Sequence, residues 1–211
     1  MGKVSRLMEF AIALEETAHQ ISSPIQKTKP SCRKGCSACC RQPVPISESE
    51  AFGLRDTLLK MSPNRRFQIF RRMGHHYHLW KKNRPEQETP FHHLREYWSL
   101  GMDCPFLVDQ GCSIHPNRPL VCREHLVSSD PVYCDDVENN SVTLINPLLA
   151  IREALDQASS FFLNKARVAI PLAFLSQWLR EHRNILEPRY SEREMAEFLI
   201  KKLGGICWMK P

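Results

Sequence analysis

Nowhere does the chain of 211 residues approach the ~18 consecutive apolar residues that a membrane-crossing helix needs, so no transmembrane segment and no membrane partner are expected. The stretch from Met1 to Glu16 lacks the uncharged apolar core of a secretion signal, because Lys3, Arg6, Glu9, Glu15 and Glu16 interrupt it. Met1-Gly2 opens like a myristoylation site, but Arg6 stands where serine or threonine is wanted. Also missing are a phosphate-binding loop, a nucleophile elbow and a dinucleotide glycine pattern. Those absences leave no support for a nucleotide-dependent or serine-hydrolase chemistry, and no catalytic residue is assigned. There is no internal repeat, no low-complexity tract and no alternation of strand with helix. The expected setting is the cytoplasm, where thiols stay reduced.

What the chain does have is cysteine. Cys32, Cys36, Cys39 and Cys40 crowd into nine residues; Cys104, Cys112, Cys122 and Cys134 follow at wide intervals, and Cys207 stands alone. An odd total of nine excludes complete internal disulfide pairing. In a reducing compartment such clusters bind metal more often than they pair, and soft metals prefer thiolates. A single buried cysteine is usually an inert small hydrophobe, and Cys207 is read that way. Cys32, Cys36 and Cys39 or Cys40 share one face if their segment is helical. If it is a loop, Gly35 lets it turn around an ion. Adjacent side chains diverge in helix and strand alike, so one of Cys39 and Cys40 serves a second metal, bridges two, or is a spectator.

The formal net charge is +6, which favours anionic partners. Arg33, Lys34, Arg41, Arg118 and Arg123 sit beside cysteines, however, so part of that excess reads as compensation for thiolates.

The hydrophobic periodicity predicts a mainly α fold: a helical domain with a small β-hairpin and irregular cysteine-rich loops around a metal centre. Val4, Leu7, Met8, Ala11, Leu14, Ala18 and Ile21 mark one face of a helix over 4–21. Pro24 and Pro30 fall in a polar linker. Ser47 with Glu50 caps a helix from about 48 to 61, and Ser62-Pro63 starts another that runs to about Lys82. A polar linker over 83–90 and a short helix over 92–99 follow. Phe106–Val108 and Cys112–Ile114 read as a hairpin joined by Asp109-Gln110-Gly111, with the glycine at its turn. A short helix over 117–125 and an irregular stretch over 127–145 come next. Three more helices are predicted: from Asn146-Pro147, from Pro171, and from a Ser191/Glu194 cap to Gly204-Gly205. The organisation expected is an N-terminal helix and linker (1–30), a cysteine module (31–145) and a helical region packed on the same domain (146–211).

The runs CRKGCSACC at 32–40 and CPFLVDQGCSIHPNRPLVCR at 104–123 resemble the YkgJ-like cysteine-cluster family, also called CxxCxxCC, a zinc- or iron-chelating domain. A similar module occurs in flagellin lysine methylases. The first gap here holds three residues where the family's name has two. The resemblance covers roughly residues 32–134 and implies chelation by Cys32, Cys36, Cys39, Cys40, Cys104, Cys112, Cys122 and Cys134. It leaves zinc and an iron–sulfur cluster both open. Eight thiols suffice for two tetrahedral zinc ions. Four suffice for a 4Fe-4S cluster, whose sequence signatures often carry Cys-Pro, as at Cys104-Pro105. The uneven gaps and adjacent cysteines, unlike the paired knuckles of zinc ribbons, tilt the reading toward iron–sulfur. Cys32-x3-Cys36-x2-Cys39 also has the spacing of the radical S-adenosylmethionine motif. Ala38 in place of an aromatic, and the absence of repeating strand–helix units, count against that radical enzyme reading.

Between Arg65 and Lys82, Phe67, Phe70, Met73, Tyr77 and Trp80 form an apolar stripe, while Arg71, His75, His78 and Lys82 form a basic one. The plainer reading is a core-facing helix with a solvated back; the other is a zinc-stabilised nucleic-acid-binding module. His92, His93 and His115 read as surface or hydrogen-bonded histidines, although His115 stands close enough to Cys112 to replace a thiol as ligand. Asp135, Asp136 and Glu138 read as loop solvation. No protein partner is legible.

Overall fold

Leu7 and Ala11 of the first helix are buried with Val4 just ahead of it and organise one half of the molecule, while Met8 packs in another core. The structure is a computed structural model and describes residues 2–22, 28–33, 35–84, 90–135, 140–145, 150–184 and 187–207. Among them the fold is mainly α, with small two-stranded sheets. Helix α1 (Arg6–Ser22) packs on α2 (Glu48–Leu59), on α6 (Ile151–Leu163) and on α8 (Glu192–Cys207), and α6 packs on α8. Val4, Leu7, Ala11, Leu155, Ala158, Met195 and Leu199 form their shared core. A second core joins α2 to α3 (Pro63–Asn83) and α7 (Leu175–Glu181) through Leu54, Ile69, Met73, Leu172 and Leu175. A third gathers Trp80, Tyr97 of α4 (Leu94–Ser99), Met102 and Phe174.

Two of three antiparallel pairs tie distant segments. β1 (Gly2–Lys3) pairs with β6 (Arg189–Tyr190), and β2 (Pro45–Ile46) pairs with β5 (Ile170–Pro171). β3 (Leu107–Val108) pairs with β4 (Gly111–Cys112) in the expected hairpin. No helix among the described residues is long and apolar enough to cross a membrane.

Local chemistry explains most boundaries. The Ser47 capping box is complete: its N–H donates to Glu50 Oε2 at 2.8 Å, and Glu50 N–H donates to Ser47 Oγ at 3.3 Å. Ser191 and Glu194 repeat the device, with N–H contacts of 3.1 Å and 3.4 Å. Pro63 opens α3 at its first turn.

Several expectations are corrected. The hairpin turn is Asp109-Gln110, with φ of 48° and 61°, and Gly111 belongs to β4. Two successive left-handed residues match the right-handed strand twist, which a turn centred on Gly111 would not. The helix expected over 117–125 is a 3-10 turn, His115–Asn117, followed by α5 (Leu120–Glu124). Pro119 forces Arg118 into extended backbone between them. Pro171 ends β5 and precedes a 3-10 turn, Leu172–Phe174, so the helix there is α7. α8 continues through Gly204-Gly205 to Cys207. The start expected at Asn146-Pro147 lies outside the described residues, as do Pro24 and most of the linker over 83–90.

On α3 the buried stripe is Ile69, Met73, His76 and Trp80, while Phe67 is 64% exposed. Ile69 and Met73 face the α2 and α7 core and Trp80 the aromatic cluster, which rotates the packed face away from Phe67.

Candidate metal centre

Cys32 and Cys36 lie on a segment that crosses the surface in turns. Ser31 N–H donates to Val127 O at 2.8 Å, and Cys36 N–H donates to Arg33 O at 2.9 Å. Gly35 is exposed with φ of 86°, a conformation that suits glycine. Cys39 and Cys40 fall in a 3-10 turn, Ala38–Arg41. From there Cys40 O accepts Cys104 N–H at 2.7 Å, so the two cysteine groups meet through the backbone.

The hairpin carries the next two thiols. Cys104 and Cys112 are half-buried against the core that holds Phe106 and Ile114. Ser37 Oγ donates to Gln110 Oε1 at 2.5 Å, which joins the first group to the hairpin turn. Cys122 sits on α5. That helix is fixed by buried Leu120, whose N–H donates to Glu50 Oε1 at 2.9 Å. Buried Arg123 reaches Glu15 at 3.2 Å and Glu16 at 3.1 Å and also bonds Pro116 O. Cys134, itself buried, lies in the 3-10 turn Pro131–Asp135, and its carbonyl accepts Gln42 Nε2 at 3.0 Å.

Arg41 joins three cysteine neighbours. Its guanidinium meets Asp103 at 3.2 Å and Asp135 at 2.7 Å, so the residues beside Cys40, Cys104 and Cys134 are held together. Asp135 is therefore an ion-pair partner, which corrects its reading as loop solvation; Asp136 and Glu138 lie outside the described residues. The sequence offered only unlike charges beside cysteines as a hint of this.

The electrostatics are those of crowded thiols. Burial pushes Cys104 up to about 12, and the neighbouring Cys112 and Cys39 add to it. Burial and the charges of Cys104, Cys39 and Cys112 hold Cys122 well above the ordinary thiol value. Burial likewise raises Cys112. Cys134 is pushed to about 11, first by burial and then by Cys39, Cys32 and Cys36. Cys39 moves the other way, to about 7, because Cys40 hydrogen-bonds its thiolate and Arg118 stands near. The same hydrogen bond, followed by burial, raises Cys40. Burial and neighbouring thiols thus hold Cys104, Cys112, Cys122 and Cys134 above the ordinary thiol value.

Arg118 acts by its charge on Cys39, Cys112 and Cys122, and its Nε is buried without a hydrogen-bond partner. The other flanking cations differ. Arg41 and Arg123 are taken by carboxylates, Arg33 is exposed, and Lys34 lies outside the described residues. Charge compensation therefore falls to Arg118.

Among the described residues, no three His, Cys, Asp or Glu side chains already converge on a metal-holding point. The thiols share a neighbourhood, and their donor chemistry fits a soft or borderline metal: several thiols and a compensating guanidinium. His115 is exposed in its 3-10 turn, with burial, Arg118 and Arg123 lowering its pKa. His92 is exposed, and His93 is half-buried 3.8 Å from Glu96. Arg71, His75, His78 and Lys82 all lie on the exposed side of α3. The side chain of Cys207 lies outside what the structure describes.

A helical scaffold that gathers cysteines from segments far apart in sequence defines a thiol-rich metal-binding class. The CxxCxxCC family, described as a "putative zinc- or iron-chelating domain", matches residues 31–143, more than half of the chain. The chain belongs to that family. No curated protein and no solved structure matches it.

Proposed function

We propose that this chain is a thiolate metalloprotein in which Cys32, Cys36, Cys39, Cys40, Cys104, Cys112, Cys122 and Cys134 chelate iron as an iron–sulfur cluster, zinc being the alternative cargo of the same thiols. The observation that carries this reading is the contact between Cys40 O and Cys104 N–H at 2.7 Å, which brings cysteines from two distant segments together. Arg118 supplies fixed positive charge beside them. A bound cluster would supply one-electron transfer, and a bound zinc ion structural rigidity. The thiols require a reducing compartment such as the cytoplasm.

Anaerobic purification followed by metal analysis and a visible spectrum tests the reading. Iron with sulfide absorption is expected; a colourless protein containing zinc would assign the alternative. Neither metal above background would overturn chelation altogether. The ligand assignment is tested by Cys36→Ser against Cys207→Ser, where equal metal content and equal melting would defeat it.

A nucleic-acid contact is the second reading, and one observation favours it. α3 contains no Asp or Glu across Pro63–Asn83, yet exposes Arg71, His75, His78 and Lys82. Such a face would bind polyanions with a steep salt dependence.

A further inference from the structure

We infer that the cleft between α2, α6 and the stretch 166–169 ahead of β5 binds a small organic ammonium ion with a hydroxyl or carbonyl oxygen beside it, Asp156 serving as counter-ion and Ser159 as donor to that oxygen.

The cleft encloses about 220 Å³, and Pro45, Ile46, Ala166, Val168 and Ala169 give it an apolar wall. None of the described cysteines lines it, so this site stands apart from the thiols. Concave apolar walls with a few convergent polar groups are the usual form of a small-molecule site.

The charges around the cleft do not balance. Arg152 lies 3.0 Å from Glu124, Arg167 2.7 Å from Glu153 and Lys165 3.5 Å from Glu48, so each of these cations already has its carboxylate. Both oxygens of buried Glu50 are engaged: Oε2 accepts Ser47 N–H at 2.8 Å, and Oε1 accepts Leu120 N–H at 2.9 Å. Asp156 is the exception. Among the described residues its half-buried carboxyl accepts no hydrogen bond and joins no ion pair. Burial, then Glu50, push it up to about 6, against Arg152 and Arg167, whose guanidiniums are taken by other carboxylates. One carboxylate is therefore left to meet a cation. A divalent metal ion needs several oxygen ligands at once, whereas an ammonium needs one counter-ion.

Ser159 stands three positions further along α6, on the same face. It is 4% exposed and lines the cleft. Its Oγ accepts Ser49 N–H at 3.1 Å, and its own hydrogen reaches no acceptor among the described residues. A buried hydroxyl with an unused hydrogen is better satisfied by a ligand oxygen. Acceptor and donor side by side match an ammonium and a neighbouring oxygen, and the apolar wall takes a short hydrocarbon branch.

The test is calorimetric titration of the full chain, purified anaerobically, with three probes. They are valinol, isobutylamine (which lacks its hydroxymethyl group) and isoamyl alcohol (which lacks its amine). Valinol is expected to bind, isoamyl alcohol roughly tenfold more weakly, and isobutylamine in between. Asp156→Asn should lose roughly tenfold in valinol affinity. It should keep the wild-type circular dichroism, since that carboxyl holds no hydrogen bond to break. Glu197→Gln, which alters an exposed carboxylate on α8, should bind valinol as wild type does. Isoamyl alcohol binding wild type as tightly as valinol would overturn the counter-ion role, whatever the variants do. Isobutylamine matching valinol would overturn the Ser159 contact. Binding of none of the three would overturn the site and leave the chelation reading untouched.

Discussion

The α1–α6–α8 half and the first cysteine segment, residues 31–41, are built on opposite principles. The first buries a continuous apolar cluster, with Leu7, Ala11, Leu155, Ala158, Met195 and Leu199 wholly removed from solvent. The second has a 3-10 turn with no buried residue, single hydrogen bonds between segments, and exposed ion pairs at Arg41. Apolar burial stabilises in proportion to area, at about 25 cal/mol per Å², while surface ion pairs contribute about 0–1 kcal/mol each. A region held only by the latter needs another source of order. The difference teaches that, if the proposed chelation holds, a metal does for that segment what packing does for the helices.

Metal removal should break the comparison most sharply. Structural zinc binding is worth roughly 10–16 kcal/mol in small domains, as large as the stability of a whole domain at about 5–15. Stripping the metal should therefore abolish hydrogen-exchange protection near Cys36–Gln42 while amides in α6 and α8 stay protected. Uniform loss of protection throughout the chain would contradict the division.

Next in size comes the joint between the regions. Arg123→Ala breaks the buried pair with Glu15, which keeps His19 at 3.0 Å, and should cost about 3 kcal/mol. It should also lower metal content, because Arg123 holds the helix that carries Cys122. Leu155→Ala should cost a comparable 2–5 kcal/mol, but with metal content unchanged. Equal metal loss in both variants would show that the regions are not distinct.

His76 gives a smaller, pH-dependent effect. Its ring is buried with Nδ1 unpartnered, and burial, then His75 and Arg72, lower its pKa to about 4 against partial opposition from Asp103. Between the ordinary value near 6.5 and 4 the unfolded chain binds the proton first. Its contribution is therefore complete above 6.5 and is lost as pH falls through 4, by roughly 3 kcal/mol in all. His76→Leu should flatten the stability profile in that window; an unchanged acid slope would assign it elsewhere.

The smallest effect belongs to the exposed side of α3. Neutralising Arg71 and Lys82 should change stability by less than about 0.5 kcal/mol. If that face binds nucleic acid, filter binding should weaken and its salt slope should flatten. Wild-type chain that fails to bind nucleic acid at low salt would remove that reading.

Much of this architecture was legible before folding. Ser47 and Glu50 announce α2 because a capping box acts within one turn, and the α1 stripe reads directly as a buried face. Of the α3 stripe, Met73 and Trp80 are buried and Phe70 and Tyr77 pack beside them, and only Phe67 misled, because periodicity does not say where along a helix its neighbours begin. Gly111 misled as a turn residue because a two-residue loop can place non-glycine residues at positive φ. Asp103 and Asp135 carried no local signal of their pairing with Arg41. Asp103 lies 62 residues from it, and no short-range pattern spans that gap.

The order of residues alone fixed the helical content, the cysteine donors and the family, since each depends on neighbours a few positions apart or on a motif read in line. Tertiary structure alone decided which thiols stand on packed supports, which cation faces them and how the two cysteine groups meet. Those are relations of distance between remote segments, such as Cys40 with Cys104 and Arg123 with Glu15, which no short stretch of chain contains.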